Sequence, residues 1–237
     1  MGAAIDQVPA QRGVLGQIGD VFNVLLDPSA VFNRIKQKPS ILAPWLVVSA
    51  LLVITTIITQ PYQNAAMQTL RASLPPEQAA RMGAGGGGPL KLLGVPVVSL
   101  IFAAIGAGLL WVGVSLSGAQ GKYKTLLSVL LHSNITYALF SIVTAVVLTV
   151  RGVAAVNSMA DLRPPLGLDL LAPNASLFVG QLLNGINPFA IWGVWICGTG
   201  ISITHGVSKS TAITVTAIIY LIAILLTSAP LLLLKTG

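Results

Sequence analysis

Five long stretches of the sequence hold no charged residue, and this distribution constrains the fold more than any motif. All 13 Lys and Arg and all 6 Asp and Glu lie outside stretches of 20 to 25 residues at 41–60, 92–116, 126–150, 188–207 and 212–234. A helix needs about 20 apolar residues to cross the ~30 Å hydrocarbon core of a bilayer, and a charge near its middle is costly. The sequence therefore predicts an all-α, polytopic membrane protein with five transmembrane helices.

The composition leaves little room for any other domain. Of the 237 residues, 54% are hydrophobic and only 8% are charged, whereas soluble domains carry roughly 25% charge. We expect a cytoplasmic amphipathic segment at 1–40 and one membrane domain at 41–237. The net charge of +7 comes from Lys and Arg beside the spans, as the orientation rule for membrane proteins requires. No nucleic-acid partner is predicted.

The N-terminal segment carries two amphipathic patterns. Apolar residues between Val14 and Leu25 recur at the spacing of one helix face, which predicts a helix lying in the membrane surface. Residues 1–12 are expected to be disordered. Asp27 can cap a second short helix, because Pro28 at its first turn needs no N–H partner there.

Prolines and short apolar runs set the expected limits of the other spans. Pro61 is predicted to end the first span, and Pro230 to bend the fifth. The apolar stretch 177–186 is too short to cross a bilayer, so we interpret it as an interfacial or re-entrant helix. Asn187 and Pro188 then repeat the cap-plus-proline start of the second helix.

Basic residues near the spans favour a cytoplasmic N-terminus and an external C-terminus. On this orientation a tight basic group precedes the first span, and a second group lies between the second and third spans. Five of these residues are candidate contacts of anionic lipid heads, namely Arg34, Lys36, Lys38, Lys122 and Lys124. Fixing the topology is the simpler role for the same residues.

Two polar residues lie near the middle of the third span. His132 and Asn134 should face other helices, because polar groups at that depth need partners. One interpretation is a proton or substrate site. We favour interhelical hydrogen bonds, since a proton relay would normally include carboxylates in other spans and the spans contain none.

The motif search predicts no catalytic, cofactor or metal site. The sequence contains no HExxH pattern, and its single cysteine, Cys197, has no paired cysteine for a metal site. A phosphate loop around Gly121 and Lys122 fails because Tyr123 stands where the metal-binding hydroxyl is required. We therefore expect a protein that is not an enzyme and needs no cofactor.

Small residues cluster on two of the spans. They are Ala103, Ala104, Gly106, Ala107, Gly108 and Gly113 in the second span, and Gly193, Gly198 and Gly200 in the fourth. Small residues let helix backbones approach closely. They indicate packing within the bundle, or, as the alternative, self-association.

The order of several segments resembles the Yip family of multispan membrane proteins, especially its bacterial branch. The likeness rests on segments 26–35, 74–80, 121–127, 187–192 and 206–212. In the fourth of these, Asn187, Pro188, Phe189 and Trp192 form a candidate structural motif. In the family an acid often precedes the Phe-x-x-Trp group, whereas in this sequence Asn187-Pro188 precedes it. Rab-contacting motifs are not apparent, so Rab binding is not expected.

The resemblance implies a protein of the bacterial inner membrane, similar in places to accessory partners of ABC exporters. Our first hypothesis is a non-enzymatic scaffold or accessory subunit that binds membrane lipids and either another membrane protein or a second copy of itself. The alternative is a transporter or lipid-moving protein, because interrupted helices such as the one entering at Asn187 form substrate sites in transporters.

Overall fold

The computed structural model describes residues 13–81 and 88–233, and every regular element within those ranges is helical. The α-helices are α1 (Val14–Asn23), α2 (Pro28–Gln37), α3 (Leu42–Ala72), α4 (Pro76–Arg81), α5 (Gly88–Leu116), α6 (Tyr123–Ser133), α7 (Ile135–Arg151), α8 (Leu177–Gly185), α9 (Pro188–His205) and α10 (Lys209–Ser228). Short 3₁₀ turns lie at Val153–Ala155, Met159–Leu162, Leu168–Leu171 and Ala229–Leu233. The disorder expected for residues 1–12 falls outside the described residues.

The described helices confirm a polytopic membrane protein. Four stretches are long and apolar enough to cross a bilayer, namely Leu42–Ala72, Leu92–Leu116, Tyr123–Arg151 and Lys209–Leu232. The pair α8 and α9 passes the same test as one unit bent by 50°. The described part of the chain therefore holds four spans, or five if the bent pair crosses as one.

Alternating helix directions give the bundle two ends. At one end, which we call the N-terminal end, lie α1, α2 and the turns before α6 and α10. The turn before α6 touches the end of α9, since the Lys122 backbone N–H donates to Nε2 of His205 at 3.2 Å. The opposite end carries the C-terminal part of α3 and the connection 152–187. The two ends differ in chemistry.

Helix α2 is part of the main core. Val31, Phe32 and Ile35 are buried, and Phe32 packs against α9 at Gly200. A Cβ at Gly200 would lie 2.8 Å from Cζ of Phe32, so the missing side chain at Gly200 leaves room for the aromatic ring. The apolar face of α2 is thus covered by a groove of the bundle. Its start is as predicted, because the Asp27 side chain accepts from the Ala30 N–H at 2.9 Å.

Helix α1 is buried on one side only. Val21 and, directly after the helix, Val24 are fully buried against the bundle, while Leu15 and, beyond the helix, Leu26 are 84% and 88% exposed. The predicted amphipathic helix exists over Val14–Asn23, but part of its apolar surface packs on protein. The remaining apolar side chains are exposed, and their contact with the membrane surface stays a prediction.

The prediction that Pro61 ends the first span is wrong, because α3 continues to Ala72. Beyond the proline, Tyr62, Ala66 and Leu70 are buried at four-residue spacing. Tyr62 and Ala66 pack with Leu148 and Val156 in a separate small core. This burial stabilises the extension, even though a proline inside a helix removes one backbone hydrogen bond.

The third and fifth spans also differ from expectation. A turn at Asn134 separates α6 from α7, although backbone hydrogen bonds continue across it from Asn134 to Leu130 and from Ala138 to Asn134. In the fifth span α10 ends at Ser228, and the chain tightens into the 3₁₀ turn Ala229–Leu233. The predicted bend at Pro230 is therefore the end of the α-helix.

Candidate lipid and partner surfaces

Four lysines form what we call the basic surface at the N-terminal end. Lys36, Lys38, Lys122 and Lys124 are all exposed. The first pair ends α2, and the second pair begins α6 next to His205. Exposed ammonium groups beside a bilayer attract anionic lipid heads, each by about 1 kcal/mol. Four of the five predicted lipid contacts are thus exposed, and their contact with lipid heads stays a prediction.

The fifth predicted lipid contact, Arg34, lies in a different environment. Its Nη2 donates to Oδ1 of Asp20 at 2.6 Å, and its Nε donates to Oδ2 at 3.3 Å. Asp20 is buried, so the paired bonds to a carboxylate bind α1 firmly to α2. Arg34 therefore links two helices. The sequence shows an acid on the polar side of α1 and a basic residue on α2. It does not show that these two side chains form an ion pair.

The predicted polar contacts in the third span lie within the bundle. His132 is fully buried, and its Nδ1 donates to the Ser128 carbonyl of its own helix at 2.7 Å. Within the described residues its Nε2 is buried without a hydrogen-bond partner. Asn134 is partly buried at the turn between α6 and α7. The hydrogen bond of His132 is thus intrahelical, and an interhelical contact of either residue stays a prediction.

The predicted structural motif forms the joint between α8 and α9. Oδ1 of Asn187 accepts from the Ala190 N–H at 3.0 Å, which caps α9. Pro188 has no N–H to donate to the Asn184 carbonyl, and Nδ2 of Asn187 donates to that carbonyl at 2.9 Å. One side chain therefore satisfies groups on both sides of the 50° bend.

The aromatic members of the same motif pack into the bundle. The ring of Phe189 meets that of Phe140 on α7, with centroids 6.1 Å apart and planes tilted by 60°. Trp192, one turn further along α9, packs against the main core. The motif thus joins α9 to α7 as well as to α8.

Two residues that sequence reasoning missed extend this joint. Nδ2 of Asn184 donates to the Pro164 carbonyl at 3.3 Å and to Oδ1 of Asp169 at 3.1 Å. The hydroxyl of Tyr220 on α10 donates to the Gly185 carbonyl at 2.7 Å. The joint is therefore tied both to the connection 152–187 and to the fifth span. A polar Asn184 inside an apolar stretch was the only local sign of this network.

Comparisons with known proteins identify the family. The Yip1 domain family matches residues 22–229. The chain belongs to the Yip1 domain family. Membrane protein YknW of Bacillus subtilis (strain 168) is 25% identical over 211 residues, covering 85% of each chain. No solved structure matches at a significant level. The expected family and its bacterial branch are confirmed, and the matched region spans all the described helices except part of α1.

Most glycines on the small-residue faces of this Yip1 domain contact helices of the same chain. A Cβ at Gly106 would meet Leu130, one at Gly113 would meet Val215, and one at Gly198 would meet Ile213. These positions let α5 approach α6 and α10, and let α9 approach α10. The small faces thus act in packing within the bundle, whereas Gly108 faces open space.

The described residues of this Yip1 domain contain no group of three or more His, Cys, Asp or Glu that could hold a metal ion. Cys197 is a buried free cysteine in the main core. Among the described residues, the outward-facing surfaces include the basic surface, one side of α1 and the apolar faces of the spans.

Proposed function

We propose that this Yip1-domain protein is a non-enzymatic scaffold or accessory subunit that acts through protein and lipid contacts. In this proposal it resides in the bacterial inner membrane with a cytoplasmic N-terminus, and its partner is an ABC exporter or another membrane complex. The proposed protein contact rests on the exposed face of α10. The proposed lipid contact rests on the N-terminal end of the bundle.

The observation that carries the proposal is the small covered fraction of the fifth span. In α10 only 11% of the most apolar stretch is buried, against 33% for α3. Leu221, Ile222, Leu225 and Leu226 of α10 are all exposed. Such a face suits another transmembrane helix, since helices in lipid associate through van der Waals packing and interhelical hydrogen bonds.

The N-terminal end supports the lipid part of the proposal. Leu15, Phe22 and Leu26 are exposed apolar side chains on and just after α1, and the basic surface lies at the same end. An amphipathic helix beside lysines binds an anionic membrane surface by apolar burial and electrostatic attraction together. The Asp20–Arg34 pair holds α1 in place for this contact.

A photo-crosslinking experiment tests the partner. A diazirine-bearing leucine analogue replaces Leu225, which is 50% exposed, or, as the matched control, Leu110, which is 1% exposed. After irradiation of native membranes, we expect position 225 to give a discrete adduct with another protein, identified by mass spectrometry. Position 110 should give only internal links. Lipid adducts alone at position 225 would contradict the proposal.

The lipid contact is tested with charge reversal, because deletion of 1–38 would also remove Phe32 from the core. Lys36→Glu with Lys38→Glu should reduce the number of anionic lipids retained in mild detergent, counted by native mass spectrometry. Glu77→Lys, at an exposed position in α4, is the control away from the basic surface. Equal lipid retention by both variants would remove this support.

A transporter or lipid-moving role is the second candidate. The bent pair of α8 and α9 favours it, because interrupted helices form substrate sites in many transporters. Purified protein in reconstituted vesicles should then move a labelled lipid or an ion across the bilayer. Movement that persists in Asn187→Ala, which loses the side chain holding the bend, would count against a role of this joint in transport.

A further inference from the structure

A cavity of about 260 Å³ opens at the opposite end of the bundle from the basic surface. It lies between the 3₁₀ turn Met159–Leu162, α8 and the end of α10. Its polar lining consists of Arg163, Gln181 and Thr227, and its apolar lining includes Leu177 and Leu231. The basic side chain and the apolar wall thus face one space.

The guanidinium of Arg163 is placed by a glycine. A Cβ at Gly180 of α8 would overlap Nη1 of Arg163 and lie 2.8 Å from its Cζ. Gly180 is buried, so the planar group rests on the helix backbone where any side chain would displace it. The guanidinium therefore lies against α8, and Arg163 lines the cavity beside it.

Backbone and side-chain hydrogen bonds fix the segment that carries Arg163. The next residue, Pro164, accepts from Nδ2 of Asn184 at 3.3 Å, and the Leu168 N–H donates to the Ile186 carbonyl at 3.1 Å. The segment that directly follows Arg163 is therefore tied to the end of α8 and to the residue after it. A positioned charge loses less entropy on binding than a mobile one.

The acids of the same connection are engaged elsewhere. Oδ2 of Asp161 accepts from the Asn157 N–H and the Ser158 hydroxyl, both at 2.9 Å. Oδ1 of Asp169 accepts from Asn184. Within the described residues, the guanidinium of Arg163 has no ion pair or hydrogen bond, so its donors are available to an anion.

We infer that this cavity binds the phosphate of an anionic phospholipid, with Arg163 on the phosphate and an acyl chain along Leu177 and Leu231. A guanidinium matches two phosphate oxygens with parallel N–H donors. The apolar lining selects a lipid over free phosphate, since it offers an acyl chain a surface that an inorganic ion cannot use. The inference does not rest on the proposed function, because it concerns a different end of the molecule.

Native mass spectrometry of the detergent-purified protein tests the site, with phosphatidylglycerol, phosphatidylcholine and inorganic phosphate as probes. We expect phosphatidylglycerol to bind in excess of phosphatidylcholine, which carries its own cation. Arg163→Gln should lower the affinity for phosphatidylglycerol about tenfold, the loss expected for one charge-assisted contact. Arg151→Gln, at an exposed arginine of the same end, should leave it unchanged.

A second pair of variants keeps the test valid if Arg163→Gln folds poorly. Leu231→Trp fills the apolar part of the cavity, whereas Leu232→Trp changes a neighbour that is 60% exposed. Only the first should reduce lipid binding. Equal binding by both, an unchanged affinity in a folded Arg163→Gln, or full displacement of the lipid by millimolar phosphate would each overturn the inference.

Discussion

The helix interruptions at Asn134 and at Asn187 are built differently. At Asn134 the backbone hydrogen bonds continue from Leu130 to Ala138, and α6 and α7 together form one 29-residue span, Tyr123–Arg151. Between α8 and α9 the axis bends by 50°. There Pro188 cannot donate, and the side chain of Asn187 bonds to both the Asn184 carbonyl and the Ala190 N–H.

The difference indicates what supports a bend between two consecutive helices. Backbone groups in hydrocarbon must be satisfied within the protein. At Asn134 the helix itself satisfies them, so the side chain is not required for the geometry. At Asn187 the helix cannot do so, and a network including Asn184 and Tyr220 replaces it. The sharp bend is therefore stabilised by hydrogen bonds from particular side chains.

The largest predicted effect is that of Asn187→Ala. It removes the cap of α9 and leaves the Asn184 carbonyl without its side-chain donor, which together should cost about 2 to 4 kcal/mol of unfolding free energy. Asn134→Ala, the matched control at the other interruption, should cost less than about 1 kcal/mol, close to helix propensity alone. Reversible unfolding of both variants by SDS in mixed micelles, followed by circular dichroism, measures the difference. Equal losses would remove the distinction between the two interruptions.

A smaller effect is expected for Tyr220→Phe. The change deletes only the hydroxyl that donates to the Gly185 carbonyl at 2.7 Å, and a single hydrogen bond of this kind contributes about 1 kcal/mol. Because the ring remains, packing of α10 should be preserved. The double variant Tyr220→Phe with Asn187→Ala should lose less than the sum if the two residues act in one network. Strict additivity in the same unfolding assay would indicate that they act separately.

The smallest effect is predicted for His132→Leu near the first interruption. The ring is fully buried, and its Nε2 has no hydrogen-bond partner within the described residues. Replacing it with an apolar side chain should change the unfolding free energy by no more than about 1 kcal/mol, since a buried polar atom is lost together with its hydrogen bond. A loss of several kcal/mol would instead indicate a polar role that the bundle requires.

Local signals in the sequence predicted two helix starts correctly. Asp27 with Pro28 and Asn187 with Pro188 each combine an acceptor side chain with a proline that needs no partner, and both caps are present. These predictions succeed because a cap involves residues only three positions apart. The same reasoning failed at Pro61, since the helix beyond it is stabilised by Leu148 and Val156, which lie far along the chain.

Contacts between distant segments could not be predicted from the sequence. Asp20 and Arg34 are on different helices, and Tyr220 reaches Gly185 across 35 positions. The spacing of α2 predicted an apolar face but not that Gly200 of α9 would receive Phe32. Hydrophobic pattern predicts which residues avoid water, whereas the partner of each depends on how the helices pack.

The most direct test of the account concerns the two sides of the bent pair. In a Cys197→Ala background, single cysteines replace the exposed Asn174 before α8 or the exposed Ser210 at the start of α10. A membrane-impermeant maleimide is then applied to intact bacteria and to permeabilised ones. If α8 and α9 cross as one span, position 174 is labelled in intact cells and position 210 only after permeabilisation. Identical labelling of the two positions would contradict the five-span architecture.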